Sequence, residues 1–338
     1  MFVHHAPAVP GLGALKTYGW AGVDLFLVIS AYLLTRLLML EYGATCRISI
    51  KSFFVRRALR IWPLYLGYVT VMTLAAIVSG KIAFMPASYW WLSHVSFSNN
   101  ILTAVKGYSI VPYTAHLWTI SLEEQAYLVL PFVLAACLAV RPSPRGTLST
   151  GVAIVALMIV ARAALVLAGV QHPFIWVLPL RADGIVLGAV VALAMPRSDR
   201  GRGNLLLVFG IAGLVSVGLF PSIEVAGAYQ VFGYSIVAAS CCALVLATQA
   251  PGMILNRLLG SAPMRLLGKV SFGFYVYHAV MLYVAEKLFI QLGIRPGPAV
   301  FVLGLLLTIA AAILSYTFYE RPFLKFKKRF TVVKSRPI

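Results

Sequence analysis

Charge is scarce in this sequence. Asp, Glu, Lys and Arg make up 11% of its 338 residues, while 61% are hydrophobic and mean hydropathy is +0.92. Soluble domains carry about 25% charged residues, so a soluble fold built from this chain would lack groups to hydrate its surface. Disordered, collagen-like and disulfide-rich secreted classes are excluded with it. Acids are scarcer still, nine against 28 Lys and Arg, for a net charge of +19. The cations sit in short segments between apolar runs, where orientation in a bilayer explains them, and no nucleic-acid partner is expected. Of four cysteines, Cys46 falls in a basic loop and Cys137, Cys241 and Cys242 in apolar runs. No C-x-x-C or metal-like Cys/His spacing occurs, so these thiols read as small buried apolar groups and no metal site is expected. Also missing are a G-x-S-x-G elbow, a Walker A loop, a G-x-G-x-x-G turn and any His followed five positions later by Asp. Internal repeats and low-complexity tracts are absent.

What is present is a series of apolar runs about 20 residues long. They predict an all-α, polytopic transmembrane helical bundle with about nine spans, near 20–40, 61–79, 116–140, 150–170, 175–195, 204–220, 229–250, 269–290 and 298–318. Gly, Pro and charged breakers between them, around 141–145 and 196–200, read as loops, so residues 1–338 form one integral membrane domain. A longer loop at 80–115 carries Trp90 and Trp91 as interfacial anchors. Segments 41–60, 141–149, 196–203, 251–269 and 320–338 hold five, two, three, three and seven Lys/Arg, 20 of the 28. The opposite set holds Lys16, Lys81, Lys106, Lys287 and Arg295. The positive-inside rule then predicts a multi-pass protein of the cell (inner) membrane with a cytoplasmic C-terminus. Nine spans would start the chain outside, and Met1 to His5 reads as the outer end of a helix, so a tenth, earlier span is expected.

Ionisable residues inside a span cost about 2.5 to 3.5 kcal/mol each and are functional candidates by default. Asp24, Glu123, Glu124 and Asp183 lie within predicted spans, and Glu286 and Glu320 at span ends. Glu123 follows His116 by seven residues, about 10 Å along one helical face. Arg181 and His278 fall at a comparable depth. The structural alternative is buried ion pairs, Arg181 with Asp183 or Glu123, and Arg162 is assigned to that reading. Histidine is the natural base near neutral pH, with His4, His5, His94, His116, His172 and His278 available.

Six motifs in order carry a family signature. They are Gly22 to Ser30 (GVDLFLVIS), Phe53 to Pro63 (FFVRRALRIWP), and His116 to Gln125 (HLWTISLEEQ). Arg181-Ala182-Asp183 with Gly188, Ser271 to His278, and Tyr319 to Pro322 complete the set. This pattern resembles the acyltransferase 3 family of membrane O-acyltransferases across nearly the whole chain. The family's first helix carries an Arg about ten residues before its essential His, which His5 stands too near Met1 to allow, and the family's Ser-Gly-Phe/Tyr is here Ser30-Ala31-Tyr32.

The resemblance implies transfer of an acyl group, commonly acetyl from acetyl-CoA, to a hydroxyl of a carbohydrate or related acceptor such as a surface polysaccharide. Acyl-CoA enters as donor substrate rather than as a bound cofactor. On this reading Arg56, Arg57 and Arg60 hold the donor phosphates through planar, always-charged forks, with plain positive-inside topology as the alternative for the cluster. His5 acts as general base, preferred over His4 because Ala6 follows it, with Asp24 or Glu123 orienting its ring. Arg181 or His278 stabilises the oxyanion. Two other classes stay open: a transporter or flippase of a glycan or lipid-linked substrate, which also places charge at mid-membrane, and an inactive truncated family member.

Overall fold

The computed structural model describes residues 2–7, 9–140, 143–170, 177–195, 199–218, 227–294 and 297–331. Among them every regular element is helical. The chain opens with α1 (Phe2–His5) and α2 (Gly13–Tyr18), then the long α3 (Ala21–Thr45) and α4 (Ile50–Val78). Two short helices follow, α5 (Phe84–Val95) and α6 (Asn99–Lys106). A 3-10 turn at Ala115–Leu117 leads into α7 (Trp118–Val140), and α8 covers Pro144–Leu167. A second 3-10 turn, Pro179–Arg181, leads into α9 (Asp183–Ala194). The remaining helices are α10 (Arg200–Val217), α11 (Ala228–Ala247), α12 (Ile254–Leu259), α13 (Ala262–Gln291) and α14 (Pro298–Leu314). A π-helical turn at Ser315–Glu320 joins α14 to α15 (Arg321–Lys327).

Local chemistry sets several of these boundaries. The side chains of Ser49, Ser143 and Asp199 accept backbone N–H groups at the starts of α4, α8 and α10, and Pro144 stands in the first turn of α8, where no N–H is needed. Among the described residues seven helices are long and apolar enough to cross a membrane: α3, α4, α7, α8, α10, α11 and α14 with its continuation to Phe330. The expected span at 269–290 lies within the 30-residue α13, which is long enough to cross but carries more polar side chains. The expected span at 175–195 differs more. Its described part is a 3-10 turn followed by a 12-residue helix of about 18 Å, too short to cross alone. Residues 175–176 of that span, 219–220 of the next, the breakers 141–142 and 196–198, His172 and Arg295 lie outside the described residues.

Apolar side chains line the outside and polar ones the inside. Val78, Leu128, Leu157, Leu205 and Leu306 are more than half exposed, while Asp24, Arg162, Arg181 and Asp183 are fully buried. A bilayer solvates the first set and penalises the second unless each polar group is partnered within the protein. α3 packs against α9 and α11, α10 against α11, and α13 against α14. Gly188 lets α9 approach α3: a Cβ there would stand 2.6 Å from the Val28 carbonyl oxygen and 3.2 Å from the Ala31 methyl. The methyl that Ala31 adds to the Ser-x-Tyr turn of α3 therefore faces a residue without one.

The segment 80–115 is no surface loop. α5 turns back along α4, with Trp91 Nε1 donating to Thr70 Oγ1 (3.0 Å) and Tyr65 hydrogen-bonded to His94 Nδ1 (3.0 Å). At the turn, Phe97 stacks on Tyr65 (5.3 Å) and contacts Trp62 (5.6 Å). Trp62 is sixteen residues, about 24 Å, from the end of α4 at Val78, so α5 and α6 form a re-entrant hairpin whose tip reaches the middle of the bundle. Trp90 is buried (5% exposed) and Trp91 half-buried, which corrects their expected role as interfacial anchors. Their alternative is the packing surface of a neighbouring helix.

Candidate active site

One decapeptide distributes the site. From His116 to Gln125 the chain passes from the 3-10 turn into α7, and successive side chains reach different partners. Thr119 Oγ1 meets the Tyr275 hydroxyl (2.6 Å), which also donates to the His116 carbonyl (2.6 Å), tying α7 to α13. Glu123 Oε1 accepts from Ser30 Oγ of α3 (2.6 Å) and pairs with Arg57 of α4 (3.5 Å). Glu124 Oε2 accepts from Trp62 Nε1 (2.9 Å). Gln125 Nε2 donates to the Phe97 carbonyl at the tip of the re-entrant hairpin and to Asn100 Oδ1 (both 2.9 Å). A helix turns 100° per residue, so a run of polar residues on one central helix can serve α3, α4, α6 and α13 at once.

Three histidines meet where α1, the start of α7 and the middle of α13 converge. The His116 and His278 rings are 4.5 Å apart, and His5 lies 5.2 Å from His278 and 6.4 Å from His116. His116 and His278 are buried, at 5% and 1% exposure, whereas His5 is exposed. His278 Nδ1 lies 2.6 Å from the Tyr275 carbonyl, which only accepts, so that nitrogen carries the hydrogen and Nε2 keeps its lone pair in the neutral ring. Nε2 of His278 and Nε2 of His116 are both buried without a hydrogen-bond partner. Buried polar atoms are almost always satisfied, and two of the exceptions here, which also include Thr35 Oγ1 and Ser121 Oγ, lie on rings 4.5 Å apart. His4 is held elsewhere, its Nδ1 2.7 Å from the Lys16 carbonyl.

The carboxylates expected to orient His5 are engaged by other residues. Asp24 forms a bidentate pair with Arg181 (2.6 and 3.1 Å), both at 0% exposure, and the guanidinium lies 4.8 to 5.7 Å from the ring centroids of Tyr234, Trp20 and Trp118. Asp183 is held by Arg162 (2.7 and 3.1 Å) and by the Ser235 hydroxyl (2.6 Å). Arg162 Nε donates in addition to the Val231 carbonyl (3.0 Å). The structural reading of Arg162 therefore describes it well, while Arg181 takes Asp24 as its partner in place of Asp183 or Glu123. The sites expected to share one depth thus form three groups: the histidines, the two buried ion pairs, and Glu123 with Arg57.

At the end of the bundle that carries the Lys/Arg-rich segments, Arg56 donates to Glu41 Oε2 and to the Phe330 carbonyl (both 2.8 Å). Arg57 lies over the Tyr127 ring (4.0 Å), and Arg60 is within electrostatic reach of Glu320. Lys327 lies within reach of all three arginines. Sequence reading named His116 among the available histidines without giving it a role, and it passed over Lys327. The signal for His116 was its seven-residue spacing from Glu123 inside the His-Leu-Trp segment; Lys327 had none, being one of seven cations in a basic tail.

Residues 2–317 match the family model described as "Acyltransferase domain". The chain is 27% identical to the O-acetyltransferase OatA of Staphylococcus aureus strain NCTC 8325 over 337 residues, covering 91% of this chain and 53% of that protein. The proteins of the same name from strains COL and MRSA252 match to the same extent. The chain thus spans about half the length of the curated relatives it matches. No solved structure matches it significantly.

Proposed function

The chain belongs to this acyltransferase family, and on that premise we propose that it moves an acetyl group from acyl-CoA on the cytoplasmic side to a hydroxyl of a carbohydrate acceptor arriving from the other side. The observation that carries the reading is the pair of buried, unpartnered Nε2 atoms of His116 and His278 beside the exposed His5. O-acetyl transfer needs a group that removes a proton from a hydroxyl, and an imidazole kept neutral with its lone pair free is such a group. In this proposal His5, open to the acceptor, takes the hydroxyl proton, and the lone pair that the Tyr275 carbonyl fixes on His278 Nε2 receives it. Attack of the acceptor oxygen on the thioester carbonyl forms the ester bond and breaks the C–S bond. The proton leaves on the CoA thiol. Arg181, held in a bidentate pair by Asp24, is assigned to structure instead of the oxyanion.

The donor side rests on charge. Arg56, Arg57, Arg60 and Lys327 gather at the basic end, and CoA phosphates match guanidinium forks in geometry and sign. The Lys/Arg asymmetry of the loops supports placing that end in the cytoplasm of a cell whose inner membrane the bundle spans. The purified protein in proteoliposomes, given radiolabelled acetyl-CoA and a polysaccharide or simple glycoside, tests the reading. Label in the glycan that is lost in His5→Ala and His278→Ala supports it; transfer unaffected by both removes histidine from the mechanism.

A further inference from the structure

Tyr113 holds a backbone conformation that few side chains accept. Its φ is +61°, in the left-handed region that non-glycine residues seldom adopt. Neighbouring bonds keep it there: the Tyr68 hydroxyl donates to the Tyr113 carbonyl (2.9 Å), and Thr114, one residue on, is bonded through its hydroxyl to the Val111 carbonyl (2.9 Å). The result is a ring pair. Tyr113 lies 4.9 Å from Tyr283 with an interplanar angle of 38°, and Lys287 Nζ stands 5.5 Å from the Tyr283 centroid.

The pair is tied to the histidine site through both chains. Tyr113 precedes His116 by three residues, and Tyr283 follows His278 by five, about 7.5 Å farther along α13 and away from the basic end of the bundle. Both rings are half-buried, and Glu286 and Lys287 beside them are exposed. Burial, the Tyr283 hydroxyl and the nearby Glu286 charge push the Tyr113 phenol up to about 12, so its hydroxyl stays neutral, able both to donate and to accept. An aromatic surface with phenol hydroxyls and one charge of each sign suits a ligand with an apolar C–H face and a rim of hydroxyls.

We propose that Tyr113 and Tyr283 form the acceptor subsite and select a pyranose ring over an acyclic alcohol, the sugar's C–H face lying on the aromatic pair and its hydroxyls meeting the phenols, Glu286 and Lys287. This rests on the acyl-transfer reading above and adds the shape of the acceptor to it. The ring pair is a binding element; the histidines remain the groups that move the proton.

The test is a ratio. The protein in proteoliposomes is given radiolabelled acetyl-CoA with either methyl N-acetyl-β-glucosaminide or glycerol, and kcat/KM is measured for each. The wild type is expected to favour the pyranoside. In Tyr283→Ala the pyranoside-to-glycerol ratio falls at least tenfold, through KM for the pyranoside; Tyr283→Phe keeps it within about threefold. Tyr283→Leu, close in bulk but without a π face, is expected to behave as Ala does, and it supplies the reading if the Ala variant folds poorly. Partial unfolding lowers both rates together and leaves the ratio intact. A ratio unchanged in Ala and Leu overturns the subsite while leaving the transfer reading in place; a wild type that transfers acetyl to neither acceptor overturns the carbohydrate reading and the subsite together.

Discussion

Two buried polar regions of this bundle use their groups in opposite ways. In the ion-pair region, Asp24, Arg181, Arg162, Asp183 and Ser235 bind one another in bidentate and bridging geometry, and Asp24, Asp183 and both arginines lie at 0% exposure. In the histidine region, two imidazoles are as deeply buried, yet each leaves one nitrogen without a partner. A charge in a low-dielectric interior is tolerated when its lone pairs and protons are satisfied, so the first region joins α3, α8, α9 and α11. The second keeps unsatisfied capacity, which on the proposed reading serves a reacting hydroxyl. On that reading the contrast separates scaffold from chemistry among residues that the sequence presents as alike.

Substitutions sharpen it. The largest effect is expected from His278→Ala in the proteoliposome transfer assay: a loss of about 100-fold to 10,000-fold, the usual size of general-base catalysis, with the unfolding midpoint little changed. His116→Ala is expected to lower transfer as well, though it touches no ion pair. On the other side, Arg162→Ala strands a buried carboxylate and should cost about 3 to 5 kcal/mol of stability, read by thermal or denaturant unfolding in detergent. Replacing both ends, Arg162→Met with Asp183→Leu, should restore most of that loss and leave transfer active, which a catalytic pair would not do. If Arg162→Met/Asp183→Leu is stable but inactive, the division between the two regions fails.

Smaller effects come from the basic end. Arg57→Ala is expected to weaken acyl-CoA binding by about tenfold and Arg57→Lys to recover part of it, because a point charge replaces a fork; isothermal titration with CoA measures both. Gly188→Ala should cost about 1 to 3 kcal/mol through its contact with the Val28 carbonyl, the same order as overpacking elsewhere. Orientation is tested by cysteine introduced at Lys81 and at Lys328, both exposed, with an impermeant reagent on intact cells. Labelling at 81 and protection at 328 is expected; the reverse would invert the bundle and move the donor site outside. Ser98, at the tip of the re-entrant hairpin, is a poor reporter of either side.

The all-helical membrane class was legible from apolar run length alone, and seven of the expected spans are helices of the required length and apolarity. The short α9 was not, because a hydropathy window cannot see where Pro179 and the turn at Arg181 interrupt a run. Nor was the hairpin: α5 is apolar and carries tryptophans, features shared by an interfacial loop and by a helix packed on α4. Among candidate residues, Asp24, Glu123, Arg181, Asp183 and His278 are all buried, as their position in apolar runs implied. Their grouping was not legible, since equal depth along separate helices says nothing of rotation about each axis.

Transfer of apolar surface into a bilayer is additive over neighbouring residues, and so is the charge bias of the loops. Span-forming segments, their alternation and the burial of rare charges therefore follow from the sequence itself. Partner choice is not local. Asp24 reaches Arg181 across 157 positions and Ser30 reaches Glu123 across 93, distances over which helix rotation, crossing angle and close contacts such as Gly188 on α3 decide which side chains face each other. The tertiary structure alone determined that Asp24 pairs with Arg181, that His116 joins His278 and His5, and that Tyr113 meets Tyr283. A hydrogen bond is made or lost within about half an ångström, a tolerance that only packed helices supply.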